Sequence, residues 1–149
     1  MGDIMAISQL ATKVYTGYKD APNDYKNVAE EVKSLQIIIN NTAQHLKSTN
    51  LTDNHWQNGQ EILKGCRSVL EDLNSLIERY KSLASANTSQ AFQRVMLGTE
   101  DIATLRARIT SNATLLSSFI RRFDISAITI YYIILRSLLV VNILKCSHS

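Results

Sequence analysis

The chain has 149 residues, a formal net charge of +3, and hydrophobic and charged fractions of 45% and 19%. A chain of this length makes about one domain. Before position 125 its basic residues alternate with acidic ones, so it has no dense cationic stripe to bind a phosphate backbone, and we expect no nucleic-acid partner. One proline and five glycines permit long helices, which indicates an all-α fold.

The cysteines and the N-terminal residues predict a cytoplasmic location. Cys66 and Cys146 are the only two cysteines, which does not suggest a disulfide framework. The first residues contain no basic region followed by an apolar run, the pattern of a secretory signal peptide.

The first two predicted helices run from Asp3 to Tyr18 and from about Asn23 to Ser48. In each, apolar residues recur at spacings of three and four, which places them on one helix face. Pro22 separates the helices, because proline disfavours the helical conformation in the residue before it. Ile37 and Ile38 lie beside the second apolar face and predict a wider buried surface.

A third helix is predicted after the turn residues near Thr52 and reaches about Leu83. Its apolar face includes Cys66, which we expect to be buried as a small core side chain. Residues 84–90 are small and polar and predict a loop. A short helical segment then ends at Gly98.

The fourth predicted helix begins at Thr99, and its apolar stripe continues to Phe123. Arg121 and Arg122 would then complement the negative end of its dipole. Four long helices with one apolar face each bury those faces most simply in an antiparallel up-and-down bundle, here with a short helix added. We therefore predict a bundle domain over residues 1–124, followed by an apolar tail over residues 125–149.

The tail permits three interpretations. Residues 125–144 have about the length that spans a bilayer, with Arg136 as the only charge. In the first, the tail spans or associates with a membrane, although a central arginine costs about 2.5 to 3.5 kcal/mol. In the second, it packs on the bundle as a fifth helix or, given its β-branched residues and tyrosines, as a pair of strands. In the third, it is a truncated or wrongly assigned end of the reading frame.

We predict no catalytic, cofactor-binding or metal site. The three histidines are dispersed, and neither cysteine has the spacing of a zinc ligand. No nucleophile, base and orienting group share a spacing that suggests catalysis. No glycine-rich phosphate loop is present, so we expect no bound nucleotide.

The remaining candidates are contact residues for a membrane or a protein partner. The first helix would suit either a bundle or a membrane surface, and the arginines around the tail would suit anionic lipid or an acidic partner. The candidates are Ile4, Ile7, Leu10, Val14, Arg121, Arg122 and Arg136.

Several sequence blocks resemble one family. They are Gly2-Asp3-Ile4, Asp20-Ala21-Pro22 with Tyr25, Glu31 to Leu35, Gly65 to Leu73, and above all Glu100 to Asn112. In order and spacing, over about residues 2 to 123, they resemble the fungal N-terminal domain of NOD-like STAND proteins, which is related to the HeLo-like group. A nucleotide-binding module usually follows that domain, and the present sequence contains none.

The resemblance implies a non-enzymatic signalling or effector domain of fungal self/non-self recognition, as in heterokaryon incompatibility. In HeLo-like relatives such a domain leads to cell death through membrane disruption by its N-terminal helix. The implied partner is a second copy or a full-length fungal receptor. The alternative is a structural adaptor or decoy fragment that only homo-oligomerises or binds such a receptor.

Overall fold

A computed structural model describes residues 2–21, 23–48, 52–83 and 102–147. These residues form four helices: α1 (Gly2–Tyr18), α2 (Asn23–Ser48), α3 (Asp53–Leu83) and α4 (Ile102–Ser147). The predicted all-α bundle is confirmed, and the predicted bounds of the first three helices agree with it closely. The predicted loop at 84–90, the short helix ending at Gly98 and the start at Thr99 lie outside the described residues.

α4 is much longer than predicted. The prediction that it ends near Phe123 is wrong, because the helical backbone continues to Ser147. Between Ile102 and Ser147 the sequence has neither glycine nor proline, so nothing in it terminates a helix. The chain divides into two compact units, Met1–Ser117 and Ser118–Ser149.

α1 and α2 are antiparallel. The Ser8 hydroxyl donates a hydrogen bond to Asn40 Oδ1 at 2.7 Å, and the Gln36 amide donates to the Thr12 hydroxyl. A later position on α1 therefore pairs with an earlier one on α2, which is the register of an antiparallel pair.

α3 runs parallel to α1 and antiparallel to the first part of α4. Early α1 residues lie beside residues 56–67 of α3, and Tyr18 at the end of α1 reaches Leu73. Arg108 of α4 pairs with Asp72, whereas the later residue Asn112 lies against the earlier residue Gly65. The four helices therefore alternate in direction, as an up-and-down bundle requires.

The core of the Met1–Ser117 unit consists of the apolar faces of all four helices. α1 packs against both α2 and α3. The largest fully buried side chains in the described residues are Tyr18, Leu35, Ile39, Leu70, Leu73, Ile77, Leu105, Ile109, Leu116, Val14, Val28 and Val32. These positions follow the predicted three- and four-residue spacing. Ile37 is an exception, since 53% of it is exposed, so the predicted widening of the α2 face does not include it.

α1 and α3 approach each other closely at Gly17. A Cβ atom at this position would lie 2.9 Å from Ile77 Cγ1 and 3.3 Å from Ile77 Cγ2. Next to it, the buried Tyr18 hydroxyl donates a hydrogen bond to the Leu73 carbonyl oxygen at 3.0 Å. Burial raises the pKa of Tyr18 well above its ordinary value, so the hydroxyl keeps the proton that it donates.

Gly17→Ala and Gly65→Ala should therefore differ in their effect on stability. Alanine gains about 1 kcal/mol of helix propensity at either site. At Gly17 the new methyl group meets the branched, buried Ile77 and incurs overpacking of about 1 to 3 kcal/mol, so we expect a net loss of up to about 2 kcal/mol. At Gly65 it meets the terminal amide of Asn112, which donates a hydrogen bond to the Arg108 carbonyl oxygen. Turning this amide away costs about 1 kcal/mol, which offsets the gain in propensity, so we expect little net change.

Urea unfolding of the full chain in nonionic detergent, followed by fluorescence, measures this difference. Trp56 is the only tryptophan and lies on α3, so the signal reports the bundle. Equal stabilisation by both substitutions would contradict the close approach of α1 and α3 at Gly17.

Candidate membrane and partner surfaces

The C-terminal part of α4 exposes apolar side chains on every side of the helix. All residues from 128 to 147 are exposed. Eleven of them are Ile, Leu or Val, and two more are tyrosines. A helix that is apolar all round is normally covered, either by a protein core or by a membrane. The predicted strand arrangement of this segment is wrong, because the segment is helical.

The segment Ile128–Ser147 is long enough and apolar enough to cross a membrane. Its 20 residues rise roughly 30 Å, the thickness of the hydrocarbon core. Its Ile, Leu and Val side chains contribute roughly 3 to 7 kcal/mol to insertion, against about 2.5 to 3.5 kcal/mol lost at Arg136. The gain from the apolar side chains is therefore at least about as large as the cost of Arg136 alone.

The hydroxyl groups of two serines in this segment form hydrogen bonds within their own helix. The Ser137 hydroxyl donates a hydrogen bond to the Ile133 carbonyl oxygen, and that of Ser147 donates to the Leu144 carbonyl oxygen, both at 2.9 Å. Such bonds let serine enter an apolar medium, in which every polar group needs a partner inside the protein.

Arg136 is the central polar group of the segment. It lies eight residues after Ile128 and eleven before Ser147, and it is exposed. The sequence contains no Asp or Glu after Asp124, twelve residues earlier. Among the described residues, no carboxylate forms an ion pair with Arg136.

Arg121 and Arg122 are exposed and precede the apolar segment. Because α4 continues beyond them, they do not lie at a helix C-terminus, and the predicted interaction with the helix dipole is wrong. Together with Lys145 they place positive charge on both sides of the apolar stretch. Charge in these positions suits lipid headgroups on either side of a membrane.

The candidate contact residues on α1 lie in the bundle. Ile4, Ile7 and Val14 are buried, and Leu10 is half-buried. In this arrangement they contact other helices, so they could meet a membrane only if α1 left the bundle.

A cleft of about 180 Å³ lies beside the start of α1. It is lined by Asp3, Ile4, Ile7, Leu46, Trp56, Gly59, Gln60, Leu63, Lys64 and Arg67. Its two cations already have acidic partners, Glu61 for Lys64 at 2.9 Å and Glu71 for Arg67 at 2.8 Å. The cleft is therefore mainly an apolar surface with little net charge for an anion.

Two ion pairs that the sequence pattern did not predict join α4 to its neighbours. Arg106 donates to both carboxylate oxygens of Glu31 on α2, with distances of 2.6 to 3.2 Å. These hydrogen bonds raise the pKa of Arg106. Arg108 donates to Asp72 of α3 at 2.7 Å. Around the helix, the two arginines lie on either side of the apolar stripe that contains the buried Leu105 and Ile109. Charged residues at the edges of such a stripe are the sequence signal for ion pairs between helices.

The two cysteines have opposite environments. Cys66 is buried, and burial raises its pKa to about 11, so its thiol is a core side chain of low reactivity. Cys146 is exposed near the end of α4.

Within the described ranges, no group of three or more His, Cys, Asp or Glu side chains could hold a metal ion.

Comparison of the chain with models of known families, with curated proteins and with solved structures finds no match. The likeness to fungal STAND N-terminal domains therefore stays a prediction based on the sequence blocks given above.

Proposed function

We propose that this chain is a non-enzymatic, membrane-associated helical-bundle protein that acts through protein and lipid contact. The observation that carries the proposal is the exposure of all residues from 128 to 147 in a helix that is apolar on every side. Water is a poor solvent for that surface, whereas lipid suits it. The chain would be made in the cytoplasm and held at a membrane by this helix.

The size of the exposed apolar surface favours a membrane. Single exposed apolar residues are common on soluble proteins, but contiguous patches larger than a few hundred Å² are rare and usually mark an interaction site. Thirteen large apolar side chains between Ile128 and Leu144 leave at least two fifths of their surface exposed, so they form one continuous surface. The described part of residues 2–117 provides the contrast, since each helix there buries its apolar face and presents its polar face to water.

We further propose that the bundle is a signalling or effector domain of a fungal NOD-like receptor type system. This step is supported by the resemblance over about residues 2 to 123. Its partner would be a second copy or a full-length receptor, and its output cell death. The docking of α1 against α2 and α3 suggests how such a domain could be held inactive, because its apolar face cannot meet lipid while it is buried.

Two lysines in the apolar helix should release the chain from membranes. Each charge at the centre of a span costs about 2.5 to 3.5 kcal/mol, so Ile134→Lys with Leu138→Lys should make insertion clearly unfavourable. The matched control is Ile37→Lys with Leu115→Lys, which makes the same change at exposed positions of the Met1–Ser117 unit.

Extraction of expressing cells with alkaline carbonate measures this difference. We expect the unchanged chain and the control in the membrane pellet, and the helix variant in the supernatant. If the unchanged chain is extracted, or if both double variants behave alike, residues 128–147 are not a membrane anchor.

If release of α1 causes membrane damage, weakening its docking should increase leakage from liposomes. Gly17→Ala loosens α1 from α3, so we expect faster dye release than from the unchanged chain. Met5→Asp charges the exposed side of α1 without altering the core and should slow dye release, because the freed helix then enters lipid less well. Circular dichroism of both variants is the control for correct folding.

The same variants should change fungal growth in the same order. Leakage and growth that do not respond to either substitution would contradict the effector role of α1. If, in addition, the chain still bound membranes, it would act as an adaptor without killing.

A further inference from the structure

Arg136 lies where a membrane-spanning helix can least easily keep a charge. Counted at 1.5 Å per residue, it is roughly 12 Å from Ile128 and 16 Å from Ser147. Long cationic side chains reach the headgroups readily only from near the helix ends. Charged residues in the middle of a span almost always face the interior of a helix bundle or a water-filled cavity, where they pair with an opposite charge or with backbone carbonyl groups.

The chain supplies no such opposite charge within its own span. No Asp or Glu follows Asp124 in the sequence. Asp124 precedes Arg136 by twelve residues, or roughly 18 Å along a helix, which is far beyond ion-pair distance. Residues 125–149 therefore provide no carboxylate that could pair with Arg136 in the bilayer.

Two side chains that carry hydroxyl groups share a helix face with Arg136. Tyr132 precedes it by four residues and Thr129 by seven, so all three fall on one face. The opposite face carries Ile134, Leu138 and Val141, which suit lipid tails, and Lys145 near the end of the helix. One face of the segment therefore carries a cation and two hydroxyl-bearing side chains among its apolar residues.

A second copy of the chain does not fit the Arg136 face. Parallel copies that paired through it would bring two guanidinium groups together in a medium of low dielectric constant, where like charges repel strongly. Neither copy has an acid in the span to compensate. The complementary partner is a different helix.

We propose that the Arg136 face binds a membrane-spanning helix of another protein that carries an Asp or Glu near the bilayer centre. This inference rests on the proposed membrane association of residues 128–147. The guanidinium and the carboxylate would pair across the two helices, with the Tyr132 and Thr129 hydroxyl groups on the same face of the interface. The pair would make insertion of Arg136 less costly and would also determine which membrane protein the chain joins.

A synthetic polyleucine span with one central Glu is the probe for this pairing. The full chain is labelled with a donor dye at the exposed Cys146, and the peptide carries an acceptor dye. Both are reconstituted in phosphatidylcholine vesicles, and energy transfer measures their association. Polar contacts between helices strengthen their association in membranes, so we expect the Glu peptide to bind about tenfold more tightly than an all-Leu peptide.

Variants at one position test the specificity of the pair. Arg136→Leu should bind both peptides equally weakly, although it inserts more readily than the unchanged chain. Arg136→Lys should retain part of the preference for Glu, because it keeps the charge and loses the bidentate geometry. A peptide with central Gln should bind less tightly than the Glu peptide.

Flotation of the same vesicles separates the two proposals. If the chain does not float with the lipid, both the membrane association and the Arg136 pairing are overturned. If it floats but binds the Glu and all-Leu peptides equally, or if Arg136→Leu binds the Glu peptide as well as the unchanged chain, only the pairing is overturned. Self-association of the unchanged chain as tight as its binding to the Glu peptide would also overturn the pairing.

Discussion

The removal of apolar surface from water governs every part of this chain. In the described part of residues 2–117 each helix has one apolar face, and the bundle covers those faces with one another, including that of α1 against α2 and α3. Residues 128–147 have apolar side chains on all sides, and all of these residues are exposed. The removal of apolar surface from water, which stabilises the bundle, therefore also favours lipid around residues 128–147.

Much of the bundle could be predicted from the sequence, because helix periodicity and the break at Pro22 are local signals. The buried Val14, Cys66 and Leu116 all occupy positions on predicted apolar faces. The end of α4 could not be located in this way. The one-sided apolar pattern stops near Phe123, and such a change looks like a helix end even though the helical backbone continues to Ser147. The burial predicted for Ile37 was wrong because an apolar residue beside a seam can equally remain exposed.

The contacts between helices depend on geometry that spacing alone does not reveal. Charged neighbours such as Glu31 and Asp72 look like solvated residues in the sequence, yet they pair with Arg106 and Arg108 of α4. At Gly17, the sequence shows only a residue of low helix propensity, whereas the structure shows that its missing side chain makes room for Ile77. For the candidate surfaces, the sequence identified Arg136 as an isolated charge, and the structure adds that the helix around this charge is exposed on every side.

The accessibility of the two ends of residues 128–147 tests most directly whether this helix spans a bilayer. One variant carries Ile128→Cys with Cys146→Ser, and the unchanged chain offers Cys146, while Cys66 is buried in both. In sealed vesicles, a membrane-impermeant maleimide added outside should label only one of the two ends, and the other only after the vesicles are opened. Equal labelling of both ends from the outside would contradict a membrane-spanning helix.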